Sequence, residues 1–326
     1  MPETLEDAQT PATEPATEQT GDRVSFRIAA FGALLVLTLS AGYGLGRLNN
    51  GTSIPAAVAP RAAGVSVDES KPHVHNADGT ITQGGVTTTG GGAAAGGLSL
   101  SSAGLTLVPE STTWRAGTAQ PFRFRITGPG GAAVTTYTIV HDKPLHLIVV
   151  RRDLSGFQHL HPTMAPDGTW SIDLTLPRPG SYRAIADFTA IVGGQQVATT
   201  LGTDLTVAGN YAPVALPGPV RQATVTSFTV GYEGTPRTGS TQPILMTVTG
   251  PDGKPAALEP YLGAFGHLVM LRQGDVGYVH VHPELRLVDG KVKFWLAPPG
   301  PGTYRMFFDF QVAGRVHTAA WTVTVS

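Results

Sequence analysis

The sequence predicts an all-β protein, two tandem antiparallel β-sandwiches carried behind a membrane-spanning N-terminus. Three observations support that reading: one long uncharged segment, an internal duplication, and a rhythm of short β-rich runs separated by turns. Each concerns a different part of the 326-residue chain.

The uncharged segment comes first. "IAAFGALLVLTLSAGYGLG", residues 28–46, is nineteen residues without a charge, bracketed by Arg27 and Arg47. As a helix rising 1.5 Å per residue it spans roughly 28 Å, close to the hydrocarbon core of a bilayer. Every face of that helix is apolar or small, which argues against a helix half-buried on a globular core. Ahead of it lies a Pro/Thr-rich tail with six acidic residues before the first basic one, Arg23. A secretory signal opens on a short positive region instead. Residues 1–23 therefore read as a disordered acidic tail and 24–48 as an uncleaved, single-pass transmembrane signal anchor. The expected topology puts the tail inside and everything after the anchor outside, an extracytoplasmic protein held at the plasma membrane.

Composition narrows the function classes. The chain has no cysteine, so disulfides, lipidation at cysteine, thiolate metal sites and thiol catalysis are excluded. Charged residues make up 14% and the net charge is −1, which leaves no broad basic surface for nucleic acid. Glycine (41) and proline (26) are dense enough to favour many turns over long helices. Residues 49–97, with runs such as "GGVTTTGGGAAAGG", lack the large apolar side chains a core needs and read as a flexible linker. The pair His73 and His75 inside it reads as incidental.

The remainder is written twice. "RAGTAQPFRFRITGPGG" from Arg115 returns as "RTGSTQPILMTVTGPDG" from Arg237, and "PRPGSYRAIADF" from Pro177 as "PGPGTYRMFFDF" from Pro299. "HLIVVRRDLSGFQHLHP" from His146 answers "HLVMLRQGDVGYVHVHP" from His267. In chain order the offsets are 122, 121 and 122, so a one-residue deletion and a one-residue insertion on either side of the histidine block reconcile all three. The copies occupy 98–209 and 220–326, joined by a Pro-rich linker at 210–219. Within a copy, runs such as "FRFRIT", "LHLIVV", "WSIDLTL" and "YRAIADF" recur about every 10 residues with no helical period. That spacing predicts a sandwich of immunoglobulin-like type. The cysteines and tryptophan pattern of antibody domains are absent, so only the architecture follows.

Histidines are where the duplication bears on function. His159 and His161 are two apart on a predicted strand and leave the same face. If Asp153 and Leu154 form a two-residue hairpin loop, His146 on the preceding strand faces His161, with His159 on the diagonal. The same construction about Gly274 and Asp275 sets His267 against His282, with His280 diagonal. Opposed Cβ atoms lie about 5 Å apart and diagonal ones within about 7–8 Å. Three imidazoles thus converge in each copy, a spacing suited to a transition metal. Asp187 and Asp309 repeat on the "YR…DF" strands. Each could ligate the ion, hold an imidazole tautomer from behind, or pair with Arg183 or Arg305 on its own strand face.

Six of the ten histidines fall in these two sets, whereas His141 and His317 align with Leu262 and Gln195. A packed three-imidazole cluster without a metal is awkward, because a buried polar group left without a partner costs about 1–3 kcal/mol. Imidazole donors suit copper(II) and zinc. The methionines do not repeat, so no copper(I) thioether site is indicated. Nor does an acid, base or nucleophile repeat beside the triads, so no enzymatic activity is expected.

The "HLxVxRxDLxxFxHxHP" block followed by "PGxYRxxxDF" resembles the small immunoglobulin-like YtkA-like and CopC-like domains of secreted and membrane-anchored bacterial proteins. The CopC-like resemblance implies a periplasmic copper carrier on a β-sandwich. A free N-terminal histidine ligand of the CopC-like pattern is not possible here, because the domain follows a linker. The expected function is metal capture or buffering by a membrane-anchored binding protein, with one site of three histidines and an aspartate per sandwich. The alternative is a metal-free surface module that presents its sandwiches to a protein or polysaccharide partner.

Overall fold

A computed structural model describes residues 73–75, 81–83, 95–279 and 281–326, with backbone alone at 73–75, 81–83 and 282. The expected anchor at 24–48 lies outside the described residues. Among those described, no helix is long and apolar enough to cross a membrane. Within the segment read as a linker, the short strands His73–His75 and Ile81–Gln83 pair antiparallel, with His73 opposite Gln83 and His75 opposite Ile81. Residues 66–326 form one unit that contains both copies of the repeat.

Each copy is an immunoglobulin-like sandwich. In the first, the strands Leu105–Pro109, Ala119–Thr127 and Thr169–Thr175 build one sheet, flanked by the short strands Ser101–Ser102 and Thr163–Met164. The facing sheet orders Thr113–Trp114, Gln195–Val207, Gly180–Val192, Leu145–Arg151 and Gln158–Leu160, with Tyr137–Thr138 beside Gly180–Val192. All of this pairing is antiparallel except Thr113–Trp114, which runs parallel to Gln195–Val207 at the sheet edge. The second copy repeats the plan: Phe228–Glu233, Gln242–Thr249 and Val292–Leu296 face Tyr278–Val279, His267–Arg272, Gly302–Val312 and Arg315–Val325.

Alternation sorts each strand between a core and an outer face. In Ala119–Thr127, Phe122, Phe124 and Ile126 point inward and join Leu105, Leu107, Trp170 and Leu174. Ile244, Met246, Phe294 and Trp321 do the same work in the second core. A tyrosine corner pins the turn into each "YR" strand. The Tyr182 hydroxyl donates to the Arg178 carbonyl at 2.9 Å, and Tyr304 donates to the Gly300 carbonyl at 2.7 Å.

One pair of strands breaks the alternation. "LHLIVV" and "HLVMLR" are apolar on both faces, the signature of a strand covered on both sides. Leu145, Leu147 and Val149 enter the first core. Ile148 and Val150 point away from it and meet Val269, Leu271, Tyr278 and Phe307 of the second sandwich. The two sandwiches therefore pack through the same sheet of each. Phe157 stacks on Phe307 with centroids 4.0 Å apart and planes 4° from parallel. Residues 96–97, assigned to the linker by sequence, thread along this seam. Gly96 exchanges both backbone hydrogen bonds with Tyr278, and the Gly97 carbonyl accepts from the guanidinium of Arg183.

Candidate metal centre

The hairpin that carries the first histidine set has the register read from the sequence, reached by a different loop. Leu147 lies opposite Leu160 and Ile148 opposite His159; one further step sets His146 against His161. A two-residue turn at Asp153–Leu154 does not form. The loop closes between the Arg151 amide and the Ser155 carbonyl, with Leu154 and Gly156 at positive φ. The Asp153 carboxylate braces it by accepting from the Ser155 amide and hydroxyl and from Arg151. In the second copy the closing bond likewise runs wider, from the Arg272 amide to the Gly277 carbonyl. Its strands keep the expected register, Met270 opposite Val279 and Leu271 opposite Tyr278.

His146, His159 and His161 share one face, and their donor nitrogens all lie within 4.8 Å of one another. His146 Nδ1 is 3.1 Å from His159 Nε2 and 3.2 Å from His161 Nε2. For a tetrahedral ion with metal–nitrogen bonds of about 2.0–2.1 Å, ligand nitrogens stand about 3.4 Å apart. The spacing is therefore close to that of a coordination sphere. The opposite ring nitrogens are committed elsewhere. His146 Nε2 donates to the Val140 carbonyl at 3.0 Å, and His159 Nδ1 donates to Asp309 Oδ2 at 2.8 Å. Those bonds fix both tautomers and aim two lone pairs at each other. A single shared proton on His161 Nε2 could satisfy one contact to His146 Nδ1, but not both. A cation at the meeting point satisfies all three nitrogens, so the residues fit a metal ion.

Burial keeps His161 and His267 neutral. His161 is pushed down to about 3, first by burial and then by the neighbouring His159 and His146. Burial likewise lowers His267 to about 4.

The second copy contributes differently from the sequence expectation. His267 is buried and donates from Nε2 to the Tyr261 carbonyl at 2.8 Å, as His146 does to Val140. Its ring lies 6.1 Å from that of His159 and 6.5 Å from that of His146, so it borders the first triad across the seam. The backbone of His282 has switched sheets and pairs with Trp295. The His280 position and the His282 side chain lie outside the described residues.

The aspartates are exchanged between sandwiches. Asp309, of the second copy, supports His159 of the first, while Thr318 holds its other oxygen at 2.6 Å. Asp187, of the first copy, accepts from Tyr278 of the second at 3.1 Å and from Thr200 at 2.8 Å. The arginine pairing considered for each is replaced: Arg183 binds Asp204 and the Gly97 carbonyl, and Arg305 donates to Thr322. Register still places Asp187 beside His146 and Asp309 beside His267. Packing of the sheets decides which imidazole each one meets.

Sequence reasoning passed over His141, whose ring is 6.1 Å from that of His146 and 5.3 Å from that of His267. Its signal was conformational. His141 and Asp142 both sit at positive φ in a tight turn, as Leu262 and Gly263 do in the second copy. His317 aligns structurally with Thr199 rather than Gln195, because the last hairpin of the second copy is two residues shorter on each strand.

Two stretches of the chain, 101–207 and 223–326, match a family described as "Domain of unknown function (DUF8832)", once per sandwich. The chain belongs to this family. No curated protein matches it. Among solved structures it is similar to the Escherichia coli adhesin FdeC at 18% identity, covering 70% of this chain and 66% of that one, with a TM-score of 0.24. The Yersinia pseudotuberculosis adhesin InvE matches at 13% identity over 69% of this chain and 60% of that one, with a TM-score of 0.23. The chain thus spans less than two thirds of the length of either adhesin structure.

Proposed function

We propose that the protein is an extracytoplasmic transition-metal-binding module, tethered to the membrane through residues 24–48, that captures copper(II) or zinc on His146, His159 and His161. The observation that carries this reading is the pair of fixed tautomers that points His146 Nδ1 and His159 Nε2 at each other across 3.1 Å. Neutral imidazole suits both ions, and the likeness of the histidine blocks to the CopC-like copper carriers keeps copper in view. The polar groups beside the triad, the Val140 carbonyl and the Asp309 carboxylate, hold imidazole N–H groups, an arrangement for retaining an ion rather than transforming a substrate. The repeat extends the reading to a second site on His267, His280 and His282, while Asp309 is the carboxylate that supports His159 of the first.

Mass-spectrometric metal analysis after dialysis against zinc or copper(II) tests it. Two equivalents per wild-type chain are expected, falling to one in His159→Ala/His161→Ala. Equal metal in both proteins would remove the His146, His159 and His161 site, and no bound metal in either would leave a metal-free surface module that displays its sandwiches to a partner.

A further inference from the structure

We infer that the ion site is shared between the sandwiches: Asp309 of the second copy is a positioning residue for the triad of the first, and ion binding locks the two together. This rests on the proposed function.

The His159–Asp309 contact is buried from both sides, with side-chain exposures of 7% and 5%. It is a direct hydrogen bond from the triad to the second sandwich. Withdrawing an imidazole N–H donor by metal coordination at the far nitrogen makes that N–H more acidic and its bond to a carboxylate stronger. An ion on His159 Nε2 therefore tightens the hold of Nδ1 on Asp309. By reciprocity, whatever docks Asp309 onto His159 strengthens ion binding by the same factor.

The docking has its own supports, and they lie within the same seam. Phe157, two residues before His159, stacks on Phe307, two residues before Asp309. Thr318 fixes the second oxygen of Asp309, so the carboxylate is oriented before any ion arrives. On the other side, Tyr278 donates to Asp187 and shares two backbone bonds with Gly96. The end of the linker is thereby tied to the seam that the ion tightens. Separation of the sandwiches would leave His159 Nδ1 without its acceptor and free the ring to rotate.

The experiment uses the full-length chain with zinc as the probe. Zinc affinity by chelator competition is compared between wild type and Asp309→Asn, and amide exchange at Tyr278 and Gly96 is followed with and without zinc. Asp309→Asn should bind zinc about 10–100-fold more weakly. Zinc should slow exchange at both amides in wild type and leave it nearly unchanged in the variant. The exchange comparison on wild type stands even if the variant folds poorly. Failure of wild type to bind zinc would remove the site itself. Zinc binding with equal affinity in both proteins, or without any slowing at the seam, would overturn the shared site while leaving metal binding intact.

Discussion

Phe307 and Phe308 are neighbours with opposite duties, and substituting each by alanine separates two kinds of stability. Phe308 is fully buried in the second core, against Phe294 and Phe310. Its truncation should cost about 3–5 kcal/mol of unfolding free energy. Phe307 faces the other way and covers Phe157 across the seam. Its burial contributes about 1.5–3 kcal/mol and the offset stack about 0.5–1.5 more. Loss of roughly 3 kcal/mol should fall on docking rather than on folding, a reduction of about a hundredfold in the docking equilibrium. Hydrogen exchange resolved by residue reads the difference. In Phe307→Ala, amides at the seam such as Tyr278 should exchange about a hundredfold faster while core amides such as Met246 and Val149 keep their protection. In Phe308→Ala the amides of the whole second sandwich should accelerate together. Uniform acceleration in both variants would refute the assignment of Phe307 to a separable interface.

Two further outcomes are expected. His267 and His161 have folded-state values below the ordinary histidine value, so the unfolded chain takes up protons first as the solution is acidified. Stability of the metal-free protein should therefore fall as pH drops from about 6.5 toward 4, with His267 alone accounting for about 2 kcal/mol by pH 5. Urea titrations at pH 7 and pH 5 check this, and a flat profile would contradict the buried neutral imidazoles. Gly97→Ala should detach the end of the linker, because a Cβ there would sit 2.6 Å from Ile185 Cγ2 and the residue has φ of +69°. Limited proteolysis should then cut near residues 95–100 faster than in wild type, with the sandwiches left intact.

Much of the fold was legible because the chain states it twice. Alternation in "FRFRIT" and its counterparts sets the inward face, and the hairpin register follows from which residues can share it. His146, His159 and His161 meet for that reason, and they do so although the loop is longer than the turn proposed for it: the bulged closure at Arg151–Ser155 leaves the strand pairing unchanged. The partner of each aspartate was not legible. A one-dimensional repeat pairs like with like inside a copy, whereas Asp309 reaches His159 only because two sheets pack face to face. The hint was there in "HLIVV" and "HLVML", apolar at consecutive positions where a solvated outer face would alternate. The glycines at 96–97 carry no pattern at all, and their place is set by the space between Ile185, Thr200 and Tyr278.

The apolar outer sheet has a consequence for how such a chain could arise. Ile148, Val150, Phe157 and Ile185 on one sandwich meet Val269, Leu271, Tyr278 and Phe307, the residues at the same places on the other. This is how the halves of a twofold homodimer touch. A lone ancestral copy would have needed a sister molecule to cover that surface, and fusing two genes end to end would have made the sister permanent. Halves joined in this way would be free to diverge, as where a histidine at 141 stands opposite leucine at 262 in the repeat while the seam stays closed.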